Sequence, residues 1–232
     1  MSKTNALLDN IAPVNLPLDI AYEDDDIIVI NKPFDMPAHP SAGNHDNTLA
    51  NALMYYYGSQ NKPFVYRCIN RLDRDTTGLT IVAKHALAGG ILGNAVAKRA
   101  IHRTYYAVCS GCTPICMRIS APIARKDAST IERCVDFKHG EYAVTDFIRI
   151  KYNPDNNLSL VKLRLLTGRT HQIRVHMKYI GFPLIGDFLY NPDYTYISRQ
   201  ALHSGRLVFT HPVTGQKMNL ISDIPSDMKS LF

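Results

Sequence analysis

Two runs of alternating apolar residues flank a five-residue turn, and this pairing constrains the fold more than any other feature of the chain. The first run is YAVTDFIRI (142–150), the second LSLVKLRLL (158–166), and Asn153-Pro154-Asp155-Asn156-Asn157 turns between them. In the second run Val161, Leu163 and Leu165 alternate with Lys162 and Arg164, the period of a strand buried on one face. Further strands are predicted at DIIVIN (26–31), ended by Lys32-Pro33, at LTIVA after Gly78, and at RTYYAVC (103–109). TLANALMYYYG (48–58) has helical spacing: Leu49, Leu53 and Tyr56 or Tyr57 share a face, and Gly58 ends it. His85 to Ala100 also reads as helix, against the cost of Gly89, Gly90 and Gly93. Strands outnumber helices and recur at short intervals. The expected architecture is therefore α+β, a mixed, largely antiparallel sheet with flanking helices. Residues 1–18, broken at Pro13, Asn15 and Pro17, are expected as a loose lead-in, and residues 19–232 as one domain.

Composition narrows the setting. No apolar run approaches the roughly 18 residues needed to span a bilayer, and the N-terminus lacks a charged-then-apolar signal pattern. A cytoplasmic protein without membrane contact is expected. Five cysteines do not suggest a disulfide framework. Cys109, Cys112 and Cys116 have the spacing C-x2-C-x3-C, but no Cys or His pair lies nearby to complete four ligands, so no metal is expected. Charge is unevenly spread: residues 1–60 hold eight acids against two bases, which leaves 24 bases and 12 acids, net +12, for residues 61–232. That imbalance points to a polyanionic partner.

Two stretches carry chemistry. RLDRDTTGLTIVAK (71–84) sets Asp73 between Arg71 and Arg74, just before the turn Thr76-Thr77-Gly78. An aspartate ringed by guanidinium groups stays ionised and aimed, as a catalytic carboxylate requires; a salt-bridged structural turn would have the same pattern. TGRTHQIRVHMKYIG (167–181) predicts a helix with Thr170 as N-cap and Gly181 as its close. Ile173, Met177 and Ile180 form its apolar face, and His171, Arg174 and Lys178 fall together on another. Gly168-Arg169, just before it, can meet a phosphate. A third patch, LHSGRLVFTHP (202–212), puts Leu202 and His203 ahead of a short strand.

Together these patches resemble the RNA pseudouridine synthases, specifically the A/C/D-type branch named for the large ribosomal subunit. YEDDDIIVINKPFDMPAHPS, RLDRDTTGLTIVAK, RTYYAV, TGRTHQIRVHM…GFPLIGD…Y and LHSGRLVFTHPVTG follow that family's motif order across about residues 20–220. The resemblance implies an isomerase that needs no cofactor and takes ribosomal or transfer RNA as its substrate. It places Asp73 on the catalytic aspartate, Tyr105 on the tyrosine that stacks on uracil, and Arg174 on the arginine that pairs with the aspartate. Arg71 falls on the residue that helps displace the base, and Leu202 on the apolar residue closing the pocket. Thr77, Arg169, His171, Gln172 and His203 are the further candidates for holding substrate. Asn70 stands where the family commonly has histidine, Thr77 where serine is common, and Arg103 where lysine is usual. Residues 1–18 are too short to fold as the N-terminal RNA-binding module of many relatives, and a monomer is expected.

The chemistry is consistent with these residues. Uracil is detached from C1′, turned and rejoined through C5, with no net redox change and no hydrolysis. The reaction needs a flipped-out base and a carboxylate, Asp73, acting as nucleophile or as base at C2′. Tyr105 offers a ring for stacking and a hydroxyl near the C5 proton, while Tyr106 points to the other face of its strand. Two rivals stand beside this reading: an RNA-binding module of the same fold without activity, and a hydrolase using Asp73 with Asp75.

Overall fold

The structure, a computed structural model, describes residues 11–41 and 43–232. In chain order the elements are β1 (Ile20–Glu23), β2 (Ile27–Lys32), α1 (Leu49–Gly58), β3 (Thr77–Ala83), α2 (Ala86–Ala97), β4 (His102–Ser110), β5 (Cys116–Ser120), β6 (Ile123–Arg125) and β7 (Arg133–Val135). They continue with β8 (Val144–Asn153), β9 (Leu158–Leu165), α3 (Gln172–Tyr179), β10 (Leu202–Thr210), β11 (Lys217–Ile221) and α4 (Ser226–Lys229). The chain forms two compact units, residues 1–101 with 208–222 and residues 102–207 with 223–232. The boundary therefore falls within β10.

In the first unit β1, β2 and β3 pair in that order, antiparallel throughout. All of β3 and all of β2 except Asn31 are buried, as their nearly unbroken apolar sequences require. Ile28, Ile30 and Val82 pack against Leu49, Leu53 and Tyr57 of α1. That helix starts with a capping box: Thr48 Oγ1 accepts from the Asn51 amide, and Asn51 Oδ1 accepts from that of Thr48. The lead-in is not loose over its described part. Ile11, Leu16 and Leu18 join the same core, and Asn51 Nδ2 donates to the Ala12 carbonyl at 2.7 Å. The remainder of the lead-in, residues 1–10, lies outside the described residues.

In the second unit the order is β4-β9-β8-β5, again antiparallel. The predicted pair at 142–166 forms as β8 and β9, with Val161 and Leu163 buried and Lys162 and Arg164 exposed. Register sets Tyr105, Leu163 and Phe147 in one cross-strand row. Thr145, two residues from Phe147, shares their face and bonds to α3. Tyr105 therefore belongs to the face that α3 covers. Tyr106 turns to the opposite face and packs with Val108, Ile185 and Met228. Gly205 makes room for its ring, because a Cβ there would lie 2.6 Å from Tyr106 Cε2. The short strands β1, β5, β6, β7 and β11 went unpredicted; at three to five residues each they carry little periodicity.

Candidate active site

The Asp73 turn is held by its backbone. Residues 67–70 run antiparallel to β3, through Ala83 N–H to Arg67 O and Ile69 N–H to Ile81 O, both 2.9 Å. Asn70 extends this ladder with its side chain: Oδ1 accepts from the Ile81 amide at 2.8 Å and Nδ2 donates to Leu79 O at 3.3 Å. An amide carries both donor and acceptor, so asparagine at this position does the work of a strand residue. The turn then closes through Thr76 N–H to Asp73 O, 3.1 Å. Beneath it lies Lys32, fully buried, whose Nζ donates to Pro33 O at 2.7 Å and Arg74 O at 2.8 Å. Those carbonyls offset the desolvation of the ammonium. Leu72 and Thr77 are buried beside it, while the Asp73 side chain is only half-buried.

The arginines around Asp73 differ from expectation. Arg74 directs its fork at Asp75, at 3.1 and 3.2 Å, and lies 3.6 Å from Asp35. Arg71 is exposed and has no ion-pair partner among the described residues. The local sequence suggests a guanidinium ring about Asp73; its Arg71 half does not form, and the charge of exposed Arg71 acts on His39 instead.

In the second unit Tyr105 is 5% exposed on β4. The helix α3 begins one residue later than the N-cap prediction, with His171 rather than Thr170 as N-cap. His171 holds φ 57 and ψ 18, the left-handed region that β-carbon-bearing residues seldom enter. The supposed basic face divides. Lys178 is exposed, but Arg174 is 1% exposed and completely enclosed. Its Nε and Nη2 each donate to Asp187 at 2.7 Å, and its Cζ lies 4.9 Å from the Tyr190 ring centre. Asp187, itself fully buried, also accepts from the Leu189 and Tyr190 amides. The sequence reading includes GFPLIGD…Y as motif but assigns neither Asp187 nor Tyr190 a role. A buried guanidinium demands a buried acid, which is the signal that would have found Asp187.

Gln172 differs from its expected place among the substrate-holding residues. It is buried, its Nε2 donates to Val144 O and Thr145 Oγ1, and its Oε1 accepts from Thr167 Oγ1 and the Arg169 amide. All its hydrogen-bonding capacity goes to the fold, so it anchors α3 instead of meeting a substrate. Arg169 pairs with Glu141 near the surface, and Arg103 lies over Gly168. Leu202 and His203 are buried on β10.

Among the described residues the metal-ligand types that converge are Asp24, Asp26 and His211. The buried His211 ring accepts at Nδ1 from the Val213 and Thr214 amides, so Nε2 carries the proton it gives to Asp24 at 2.8 Å. Neither nitrogen keeps a lone pair for a metal. Burial alone would raise the Asp24 carboxyl, but hydrogen bonds from Tyr22 and from the Ile27 and Asp26 amides outweigh it and hold it below the usual range. The cluster is a clamp within the first unit. Cys112 and Cys116 are exposed and Cys109 is buried, all as free thiols.

The chain belongs to the RNA pseudouridine synthase family, enzymes that isomerise uridine in RNA. The family model described as RNA pseudouridylate synthase matches residues 26–179. Relatives include a protein of Zymomonas mobilis named ribosomal large subunit pseudouridine synthase D, 38% identical, with 95% of this chain and 73% of that protein aligned. The Bacillus subtilis protein YjbO, described as an uncharacterized RNA pseudouridine synthase, is 42% identical over 94% of this chain and 76% of its own length. Among solved structures, human RNA pseudouridylate synthase domain containing 1 superposes with a TM-score of 0.74 at 26% identity, covering 89% of this chain and 83% of that one. The largely antiparallel fold is thus the family's, and the chain is an isomerase. No helix among the described residues is long and apolar enough to cross a membrane.

Proposed function

We propose that this enzyme isomerises uridines of ribosomal RNA, with Asp73 as its catalytic carboxylate. The reaction breaks the C1′–N1 bond, forms C1′–C5, removes the C5 proton and leaves a proton on N1. Atoms balance without oxidant, reductant, water or metal. Asp73 acts at the ribose, Tyr105 stacks on the flipped uracil and serves its C5 proton, and Arg174 keeps the carboxylate ionised and aimed. Arg71 displaces the target base, Leu202 closes the pocket, and Thr77, Arg169, His171 and His203 hold the nucleotide. The protein works as a cytoplasmic monomer.

The observation that carries this reading is the Asp73 turn itself. Its backbone is tied down by Lys32 and by the Asn70 ladder, yet the carboxylate stays half-exposed. A reactive carboxylate must be rigid and reachable, and a half-buried acid on a pinned turn meets both conditions. Relatives whose names refer to the ribosomal large subunit favour ribosomal RNA as the substrate. Asp73→Asn should abolish tritium release from C5-labelled uridine in RNA and leave the gel-shift affinity nearly unchanged. A rate within about tenfold of wild type, roughly 1.4 kcal/mol of barrier, would remove Asp73 from the chemistry. Pseudouridine mapping in cells lacking the gene decides the substrate, since a lost site in transfer RNA alone would overturn the ribosomal assignment.

A further inference from the structure

Residues 33–36 form a loop fastened to the turn that carries Asp73. Two of the fastenings use one atom, the Arg74 carbonyl oxygen, which accepts from Lys32 Nζ at 2.8 Å and from the Met36 amide at 3.2 Å. Lys32 Nζ also donates to Pro33 O at 2.7 Å. Lys32 and Met36 are both buried, Met36 in the core with Ile28, Ile30 and Leu53. Between them Asp35 turns the chain at φ 53, a left-handed conformation that aspartate tolerates better than most side chains. Its carboxylate lies 3.6 Å from Arg74 Nε, so its charge is offset at the surface. The residue this frame presents is Phe34. It is 52% exposed and has no ring or cation partner among the described residues. Single exposed apolar residues are ordinary on protein surfaces. Here, however, the backbone on either side is fixed by a buried ammonium and a core methionine, so the ring has a set place beside the reacting turn. Left half in water, it adds little burial to the folded state.

We propose that Phe34 is a stacking platform for an unpaired base of the substrate RNA, next to the uridine on which Asp73 acts. This placement rests on the reading of Asp73 as the catalytic carboxylate. Proteins read RNA mainly in single-stranded segments, whose bases lie on aromatic faces. A base stacked on a fixed ring is also held in register while its neighbour is flipped out. The net charge of +12 over residues 61–232 favours a polyanion over an apolar protein as the occupant.

The test compares Phe34→Ala, Phe34→Leu and Phe34→Tyr in the full chain. The probe is a fluorescent oligouridylate carrying 4-thiouridine, read by anisotropy for affinity and by ultraviolet cross-linking for contact. Phe34→Ala should weaken binding about tenfold. Phe34→Leu should lose nearly as much, because leucine keeps the apolarity without the π face, and Phe34→Tyr should bind as wild type does. The wild-type adduct should map to the peptide that contains Phe34. Thermal midpoints should stay together, since the ring is half in water. Equal affinity of Phe34→Ala and wild type overturns the proposal, as does wild-type affinity in Phe34→Leu, which would make the site merely apolar. Self-association of the wild type that Phe34→Ala abolishes would assign the ring to a second copy and overturn it too. A wild type that binds the oligouridylate but releases no tritium from C5-labelled RNA would instead sink the functional reading, while the stacking result would still stand.

Discussion

Arg174 is a cation that the fold withdraws from water, and Asp187 meets it there. Two bonds of 2.7 Å and two backbone amides meet that carboxylate at 0% exposure. Removing Asp187 strips the buried guanidinium of two bonds of 2.7 Å, whereas removing both partners of such a pair can be nearly neutral. Asp187→Ala should therefore cost about 3–5 kcal/mol in urea unfolding. Arg174→Met combined with Asp187→Leu should recover part of that loss. A single-variant cost under about 1 kcal/mol would mean the pair is wetter than its geometry implies. The helical spacing groups Arg174 correctly with His171 and Lys178. Whether that face meets water or protein depends on where GFPLIGD comes to lie, thirteen residues beyond Arg174, and no local pattern reports that.

At the scale of elements, α3 is docked on β8 by polar contacts as much as by Ile173 and Met177. His176, fully buried, receives a hydrogen bond from Thr145 Oγ1 at Nδ1 and donates from Nε2 to Ala121 O, each 2.9 Å. Thr145 Oγ1 in turn accepts from Gln172. Burial lowers the His176 pKa from the ordinary 6.5, against the opposing bond to Ala121. The unfolded chain thus binds the proton more readily than the folded one. Stability from this helix is then complete above about pH 6.5 and declines as pH falls from there toward the lowered folded value. His39 moves the same way, through burial first and the Arg71 charge second. Thermal midpoints should drop as pH goes from about 7.5 to about 5.5, and the His176 ring should titrate below the ordinary 6.5. A His176 midpoint at or above the ordinary 6.5 would rule out this mechanism. The helix itself is plain in the sequence, whereas its anchoring residue Gln172 looks like a ligand candidate until its four partners are counted.

Across the whole molecule, charge governs encounter with RNA. Residues 61–232 carry net +12, so affinity should fall steeply with salt through counterion release. Lys178, exposed on α3 and 5.5 Å from the Tyr190 ring, stands outside the Arg174–Asp187 pair. Lys178→Ala should weaken RNA binding modestly, lower the slope of log affinity against log salt by about one, and leave the single-turnover rate unchanged. Arg174→Lys should do the reverse, keeping the salt slope and losing rate, because an ammonium cannot reproduce the planar fork. Equal salt slopes in wild type and Lys178→Ala would place that lysine away from the RNA.

Sequence alone determined the elements whose signal is local. Period-2 alternation made β8 and β9 legible, unbroken apolar runs did the same for β2 and β3, and 3.6-residue spacing gave α1. Asp73 and Arg174 drew attention through residue type and spacing, and Tyr105 through the resemblance of RTYYAV to a family motif. Tertiary structure decided what surrounds them. Arg71 is exposed and acts on His39 instead of ringing Asp73. Residues 11–18 pack on α1, Gln172 anchors a helix, and Arg174 finds Asp187. Those outcomes follow from desolvation and hydrogen-bond satisfaction among groups distant in sequence. Periodicity records which face of an element is apolar, but not which buried polar group that face must satisfy.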